Sequence, residues 1–344
     1  MLIPVLDINN KPLMPCRNAR ARLLIKKGSA RSFYQKGIFC IKLNREPSAR
    51  NYQNIAVGID PGSKREGYTV LTKKYVVLNI TTNTPAWVKD HLEIRRNLRR
   101  SRRQRKTPYR ACRENRSCLR NYNRIPPSTK ARWNAKLRIL KLLMRILPIT
   151  IVNVEDIAAK TKEGKDLWNK SFSPLEVGKD YFYSEIEKLN IKLIKTEGYA
   201  TKQHRDKRVF KKSKNKLDYI WAAHNVDSHS LAEIAIGTEI LPNYNLYKIE
   251  FLEYHRRQLH VQNFTKGGIR KQYGSTVSLG MSRGSIIRYK NDFAYLGGSS
   301  KGKVAVNNIE TGKRINQFVK VEDIEVLYNS KWKTQFMRRD SSTG

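Results

Sequence analysis

Ile55-Ala56-Val57-Gly58-Ile59-Asp60-Pro61-Gly62-Ser63 is an apolar run that ends on one carboxylate and turns sharply at Pro-Gly. Gly67-Tyr68-Thr69-Val70-Leu71 reads as the returning arm of a hairpin. A strand that buries Ile55, Val57 and Ile59 holds Asp60 rigidly at its tip, where a metal ion or phosphate can approach. The glycines on either side keep the space open. Alone, the motif reads more readily as an Asp opening an ordinary β-turn. Two further carboxylates in similar settings lift it above that reading.

Moving outward, Tyr75–Thr81 supplies a third strand. Three successive antiparallel strands with an acid on the first are how ribonuclease-H-like nucleases begin. Ser128–Leu147 reads as a helix with a Ser/Thr cap, core positions Trp133, Leu137, Leu140, Met144 and Leu147, and a stop at Pro148. Ile149-Thr150-Ile151-Val152-Asn153-Val154-Glu155-Asp156 is then a second buried strand ending on a carboxylate. Asp156 competes with Glu155 for the role, but with Val152 and Val154 on one face, alternation puts Glu155 on the other, as Asp60 is opposite Ile59. The third acid lies in the helix Trp221–Ala235, where Ala223, Val226, Ser230, Leu231 and Ile234 pack inward. His224 and Asp227 stand there at i and i+3, on one side. Three carboxylates converging from two strands and a helix can hold two divalent cations about 4 Å apart. Magnesium suits such an all-oxygen set, and His224 would assist proton transfer.

The 344 residues are enough for two or three domains, and Lys+Arg outnumber Asp+Glu by 69 to 29, a formal net charge of +40. So cationic a chain repels itself without a polyanion, and nucleic acid is the natural partner. The span 95–110 holds nine basic residues in sixteen. Their spacing spreads guanidinium groups around most of a helix, which suits a groove lined by phosphates. Residues 1–50 read as a small cationic α+β module, with a basic helix that stops at Gly28 and a strand over Gly37–Leu43. Residues 158–196 are short and polar, helical over Tyr181–Leu189, and Gly198–Lys216 looks like a phosphate-contacting loop. After about residue 245 come short strands at Ser275–Leu279, Ser285–Arg288, Phe293–Leu296, Lys303–Val306 and Gln317–Val319, the pattern of a small barrel. Basic residues (Arg256, Arg257, Lys266, Arg270, Lys271, Arg283, Arg288, Lys290) punctuate it. Cys112 and Cys118 lack metal-ligand spacing and are expected as free thiols. Four cysteines and no signal-peptide or membrane-span pattern point to the cytoplasm.

Pro12-Leu13-Met14-Pro15, the Asp60-Pro-Gly-Ser strand, the arginine run, the Val154-Glu155 strand and His224-x-x-Asp227 come in the order found in IscB proteins. The chain resembles that transposon-encoded family, relatives of the CRISPR type II effectors. With no HNH nuclease between Glu155 and His224, it looks most like the IsrB branch. The resemblance implies an α/β multidomain fold: a PLMP module (1–53), RuvC part I (54–94), an arginine-rich bridge helix and connector (95–127), RuvC parts II and III (128–240) and a C-terminal β-barrel domain that reads a target-adjacent motif (241–344). It implies an ωRNA-guided nickase cutting the displaced strand of double-stranded DNA, a monomer in a nucleoid-associated prokaryotic ribonucleoprotein. Asp60, Glu155 and Asp227 match the family's ligands for two Mg²⁺ ions, with Mn²⁺ as a substitute, and His224 matches its catalytic histidine. Arg95, Arg96, Arg99, Arg100, Arg102, Arg103, Arg105 and Arg110 fall to the guide RNA, and Arg283, Arg288 and Lys290 to DNA. Ser228 departs from the alanine common in relatives. The alternatives are a RuvC-like nuclease of branched DNA that needs no RNA, and a non-catalytic RNA-binding component.

Overall fold

The structure, a computed structural model, describes residues 1–106, 125–157, 173–251, 262–263, 268–269, 277–309, 311–329 and 332–338. The chain divides into two compact units. One comprises Met1–Arg31, Ile41–Leu246 and Met337–Gly344, the other Ser32–Cys40 and Tyr247–Phe336.

The first unit opens with β1 (Ile3–Leu6), antiparallel to β2 (Pro12–Cys16). The turn between them closes on Asp7, which is buried, accepts from the amides of Asn9 and Lys11 at 2.8 Å, and pairs with Arg50. Helix α1 (Asn18–Lys26) buries only Ala21. It ends before Gly28, whose φ of +66° takes the left-handed turn that glycine permits. Strands β3 (Ala30–Gln35) and β4 (Ile38–Leu43) follow in sequence, with Ser32–Cys40 counted in the second unit, and β4 runs parallel to β1 through Val5↔Ile41.

Then comes the scaffold of the site. β5 (Ile55–Asp60), β6 (Arg65–Thr72) and β7 (Val76–Asn83) are a near wholly buried antiparallel meander. After α2 (Val88–Lys106) and α3 (Pro127–Ile146), β8 (Ile151–Asp156) returns parallel to β5. Helix α4 (Pro174–Glu187) leads to β9 (Lys192–Glu197), parallel to β8. The spatial order is β7-β6-β5-β8-β9, which with these directions is a ribonuclease-H-like sheet. Helix α5 (Gly198–Lys207), a π turn over Trp221–Asn225 and α6 (Val226–Ile236) complete it.

Four local expectations change. Helix α3 starts on Pro127, with Pro126 at the cap and no side-chain cap, because proline at the first helical position needs no donor there. Its Met144 is only half-buried, while Lys136 is buried. Residues 198–207 are helix rather than loop; Ala200, Thr201, Lys202 and Gln203 carry no breaker, and Thr201 is buried. β9 was hidden by its charges, since Lys192 and Lys195 leave too few apolar positions to mark an edge strand.

In the second unit Arg314–Val319, Lys303–Asn308, Asp292–Ser300, Ser285–Tyr289 and Ile324–Asn329 lie side by side in that order, all antiparallel. Ile287, Leu296, Val304, Val306 and Val319 form its core. The strands Leu246–Phe251, Ile324–Asn329 and Trp332–Met337 were not foreseen from sequence. Cys112, Cys118, Arg256, Arg257, Lys266, Arg270 and Lys271 lie outside the described residues.

Candidate active site

Parallel pairing of β5 with β8 sets Ile59 against Val154. One step further on, the same register brings Asp60 and Glu155 out of the strand ends as neighbours. Burial, then the charges of Asp60 and Asp227, push the Glu155 carboxyl up to about 7, against the opposing pull of Lys212. Asp156 is occupied elsewhere: it accepts from Lys179 Nζ at 2.7 Å and from the Tyr183 hydroxyl at 3.0 Å.

The helix that carries the other acid is pressed onto the sheet. A Cβ on Gly58 would stand 1.9 Å from the Ser228 carbonyl oxygen, and one on Gly67 would stand 2.3 Å from that of His224. Only glycine allows so close an approach. Polar bonds fix the helix in place. Asn225 Nδ2 donates to the carbonyls of Tyr68 and Ile80, Asn153 Nδ2 donates to that of Leu231, and the Ser228 and Thr69 hydroxyls meet at 2.8 Å. That last bond gives Ser228 a partner that alanine would lack. Gly58→Ala is expected to cost about 1–3 kcal/mol by overpacking, read from the urea midpoint, as α6 is forced off β5.

Ahead of α6 the chain winds through the π turn, so the i, i+3 relation of His224 and Asp227 is not that of a regular α-helix; such turns are frequent at functional sites. His224 Nδ1 lies 3.8 Å from Asp60 Oδ2. Its Nε2 is 2.9 Å from the Lys216 carbonyl, which can only accept, so Nε2 carries a proton and Nδ1 is the nitrogen that faces Asp60. Asp227 is nearly fully buried, at 3% exposure, with both oxygens on cations: Oδ1 accepts from Arg205 Nη1 at 2.8 Å and Oδ2 from Lys212 Nζ. Among the described residues, no three His, Cys, Asp or Glu side chains are gathered tightly enough to hold one ion in common.

Asp60, Glu155, His224 and Lys212 line a groove of about 750 Å³. Seven basic residues line it, and four of them have partners. Lys136 pairs with Glu66, Lys179 with Asp156 and Glu176, and Lys212 with Asp227. Arg65 stacks 4.0 Å from the centre of the Tyr219 ring. Lys64, Arg132 and Lys216 make no side-chain ion pair among the described residues, and Leu175, Leu217 and Ile157 give the same groove exposed apolar surface.

Elsewhere, Arg95, Arg96, Arg99 and Arg100 are exposed on α2, and Arg102, Arg103 and Arg105 fall within the same helix. Arg110 lies outside the described residues. In the second unit Arg288 is exposed and bonded to Glu325 at 2.7 Å, Lys290 sits 5.5 Å from the Tyr289 ring centre, and Arg283 is half-buried. The sequence reading missed Glu66, Lys136, Arg205 and Lys212. Their partners lie 70 residues apart for the first pair, and 22 and 15 from Asp227 for the other two, which no local pattern records.

Residues 3–167 match the family model described as RRXRR protein, slightly less than half of the chain. No curated protein sequence matches. Among solved structures the chain is similar to T. thermophilus RuvC in complex with Holliday junction substrate, at 12% identity and a TM-score of 0.29, over 52% of this chain and 90% of that one. Thermus thermophilus RuvC alone gives 11% identity and a TM-score of 0.25, over 55% and 84%. The yeast mitochondrial Holliday junction resolvase Ydc2 gives 13% identity and a TM-score of 0.28, over 54% and 78%.

Proposed function

We propose that this protein is a magnesium-dependent, RNA-guided DNA nickase of the IscB and IsrB kind, with a RuvC-type site and no HNH nuclease. The observation that carries the reading is the pair Asp60 and Glu155, side by side at the ends of parallel strands in a cation-lined groove, with His224 and Asp227 on the helix packed behind them. The RRXRR match spans Asp60, the arginine helix and Glu155.

The donor set fits two divalent ions. All three carboxylates offer oxygen ligands, and Glu155 is held above its ordinary range partly by its acidic neighbours, a repulsion that added positive charge relieves. Lys212 already stands in as such a charge. Asp60, Glu155 and Asp227 would hold the ions. When bound, magnesium supplies activation of the attacking water and stabilisation of the leaving oxygen. His224 takes a proton at Nδ1, the nitrogen left basic by the Lys216 carbonyl. Lys64, Arg132 and Lys216 receive the phosphates of one strand, and the exposed Leu175, Leu217 and Ile157 offer surface to its unstacked bases.

The guide is an ωRNA. The exposed arginines of α2 bury no core and suit phosphates on several sides. Base pairing reads the target while the protein grips the heteroduplex backbone. Arg283, Arg288 and Lys290 belong to DNA beside the target-adjacent motif. On this reading the RNA forms much of the scaffold of a particle that contains one copy of the protein.

The test is nicking of a supercoiled plasmid by protein co-expressed with RNA from its flanking locus, with magnesium or EDTA. Guide-programmed open circles that vanish in EDTA are expected. Guide-independent nicking would instead mark a branched-DNA nuclease, and tight RNA binding without any nicking would mark a binding component.

A further inference from the structure

Asp227 presents both oxygens to cations, but the two cations differ. Arg205 is fixed on α5 with a side chain only 16% exposed, whereas Lys212 lies on the irregular stretch between α5 and the π turn, is twice as exposed at 32%, and lines the groove. A guanidinium held by a helix is a permanent brace. An ammonium on a flexible four-carbon stem at a groove wall can leave. The field of Lys212 also reaches Asp60 and Glu155, so one positive charge offsets three carboxylates from three elements of the fold. Without it, Arg205 alone would answer the negative charge gathered on packed, mostly buried groups at the ends of β5, β8 and α6.

We infer that Lys212 is the resident counter-cation of the metal-free site: it holds Asp227 Oδ2 in place until a divalent ion claims that oxygen, and the ion displaces it. This rests on the nuclease reading. A divalent ion shared by Asp227 with Asp60 or Glu155 needs the oxygen that Lys212 occupies, and its charge would repel the ammonium at the same point. Arg205 can stay, since Oδ1 is its own. Lys212 therefore keeps the carboxylates assembled before metal arrives, and it weakens metal binding by competition. Lys212 is a positioning residue on this account, and its signature is in metal affinity rather than turnover.

The test uses the full-length, metal-stripped chain, with Mn²⁺ titrated calorimetrically and melting followed with and without the ion. Asp60→Asn serves as the blank for binding outside the site. Lys212→Met should bind Mn²⁺ about tenfold more tightly, equivalent to about 1.4 kcal/mol. It should melt below the wild type without metal and reach it at saturating Mn²⁺. Lys212→Arg, which keeps the charge, should stay near wild-type affinity and melting, and it guards against a variant that simply fails to fold. If the wild type binds Mn²⁺ and Lys212→Met binds it equally or more weakly, the displacement is wrong and the nuclease reading stands. If neither binds Mn²⁺ above the blank, both fall.

Discussion

Asp60→Asn is expected to cut magnesium-dependent nicking about a thousand-fold while raising the melting temperature of the metal-free protein. The loss follows if Asp60 is a ligand shared by the ions that stabilise charge at the phosphate. Such stabilisation is worth several kcal/mol, and about 1.4 kcal/mol is tenfold in rate. The gain has a different origin. Asp60 sits mostly buried beside Glu155, and its charge helps push that carboxyl up to about 7. A carboxyl raised in the folded state binds protons more readily there than in the unfolded chain, so its ionisation above that range works against folding. Asparagine keeps the shape and removes one repelling charge, leaving Glu155 easier to ionise. The two readouts must separate: a variant that loses nicking and also melts lower than wild type would mean that Asp60 serves the fold rather than the chemistry.

Lys136→Met is expected to lower the free energy of unfolding by about 3–5 kcal/mol, the usual result of removing one partner from a buried ion pair. Glu66 on β6 is 1% exposed, accepts from the Tyr68 hydroxyl at 2.7 Å, and has Lys136 of α3 as its counter-ion. Lys136 in turn lies 4.6 Å from the centre of the Trp133 ring. Methionine fills the lysine's volume and leaves the carboxylate stranded. The double variant Glu66→Gln with Lys136→Met should recover most of the loss in a denaturant titration, because the stranded charge is gone. Burial raises the Glu66 carboxyl in spite of Lys136. The deficit of Lys136→Met should therefore shrink as pH falls and Glu66 takes up a proton. A deficit independent of pH, and unrelieved in the double variant, would show that Lys136 contributes packing and not charge.

The two halves of this site were unequally legible. The apolar run before Asp60 and the one before Glu155 announce buried strands, the Pro-Gly turn announces where the first stops, and alternation favours Glu155 over Asp156. Pro148 marks the end of α3 in the sequence, whereas its start on Pro127 replaces the Ser/Thr cap expected at Ser128. What alternation cannot carry is which charge meets which. Glu66 stands one residue before Gly67, where the returning arm is expected to begin, but β6 starts at Arg65 and takes it inside. Arg205 and Lys212 read as a basic loop for phosphates, yet in the fold they face Asp227. β9 escaped because an edge strand tolerates exposed lysines, and Lys192 and Lys195, three residues apart on opposite faces, blur the period of two. The sequence reading gives Gly58 open space beside Asp60, but helix backbone fills that space; that Gly58 and Gly67 admit a helix depends on an element more than 150 residues later.

The unit of Tyr247–Phe336 includes Ser32–Cys40, and the Thr334 hydroxyl donates to the Lys36 carbonyl at 2.7 Å, with Gly37 tight against Thr334. That joins the beginning of the chain to its end, 298 residues apart. During synthesis Ser32–Cys40 emerges early and must wait until nearly the whole polypeptide has been made before its partner residues exist. Long closures of this kind form slowly and leave strand surface exposed meanwhile. A C-terminal fragment cut at the apparent boundary near residue 241 would lack a piece of its own unit. Folding order is thus written into the topology: the second unit cannot be completed until synthesis has reached Phe336.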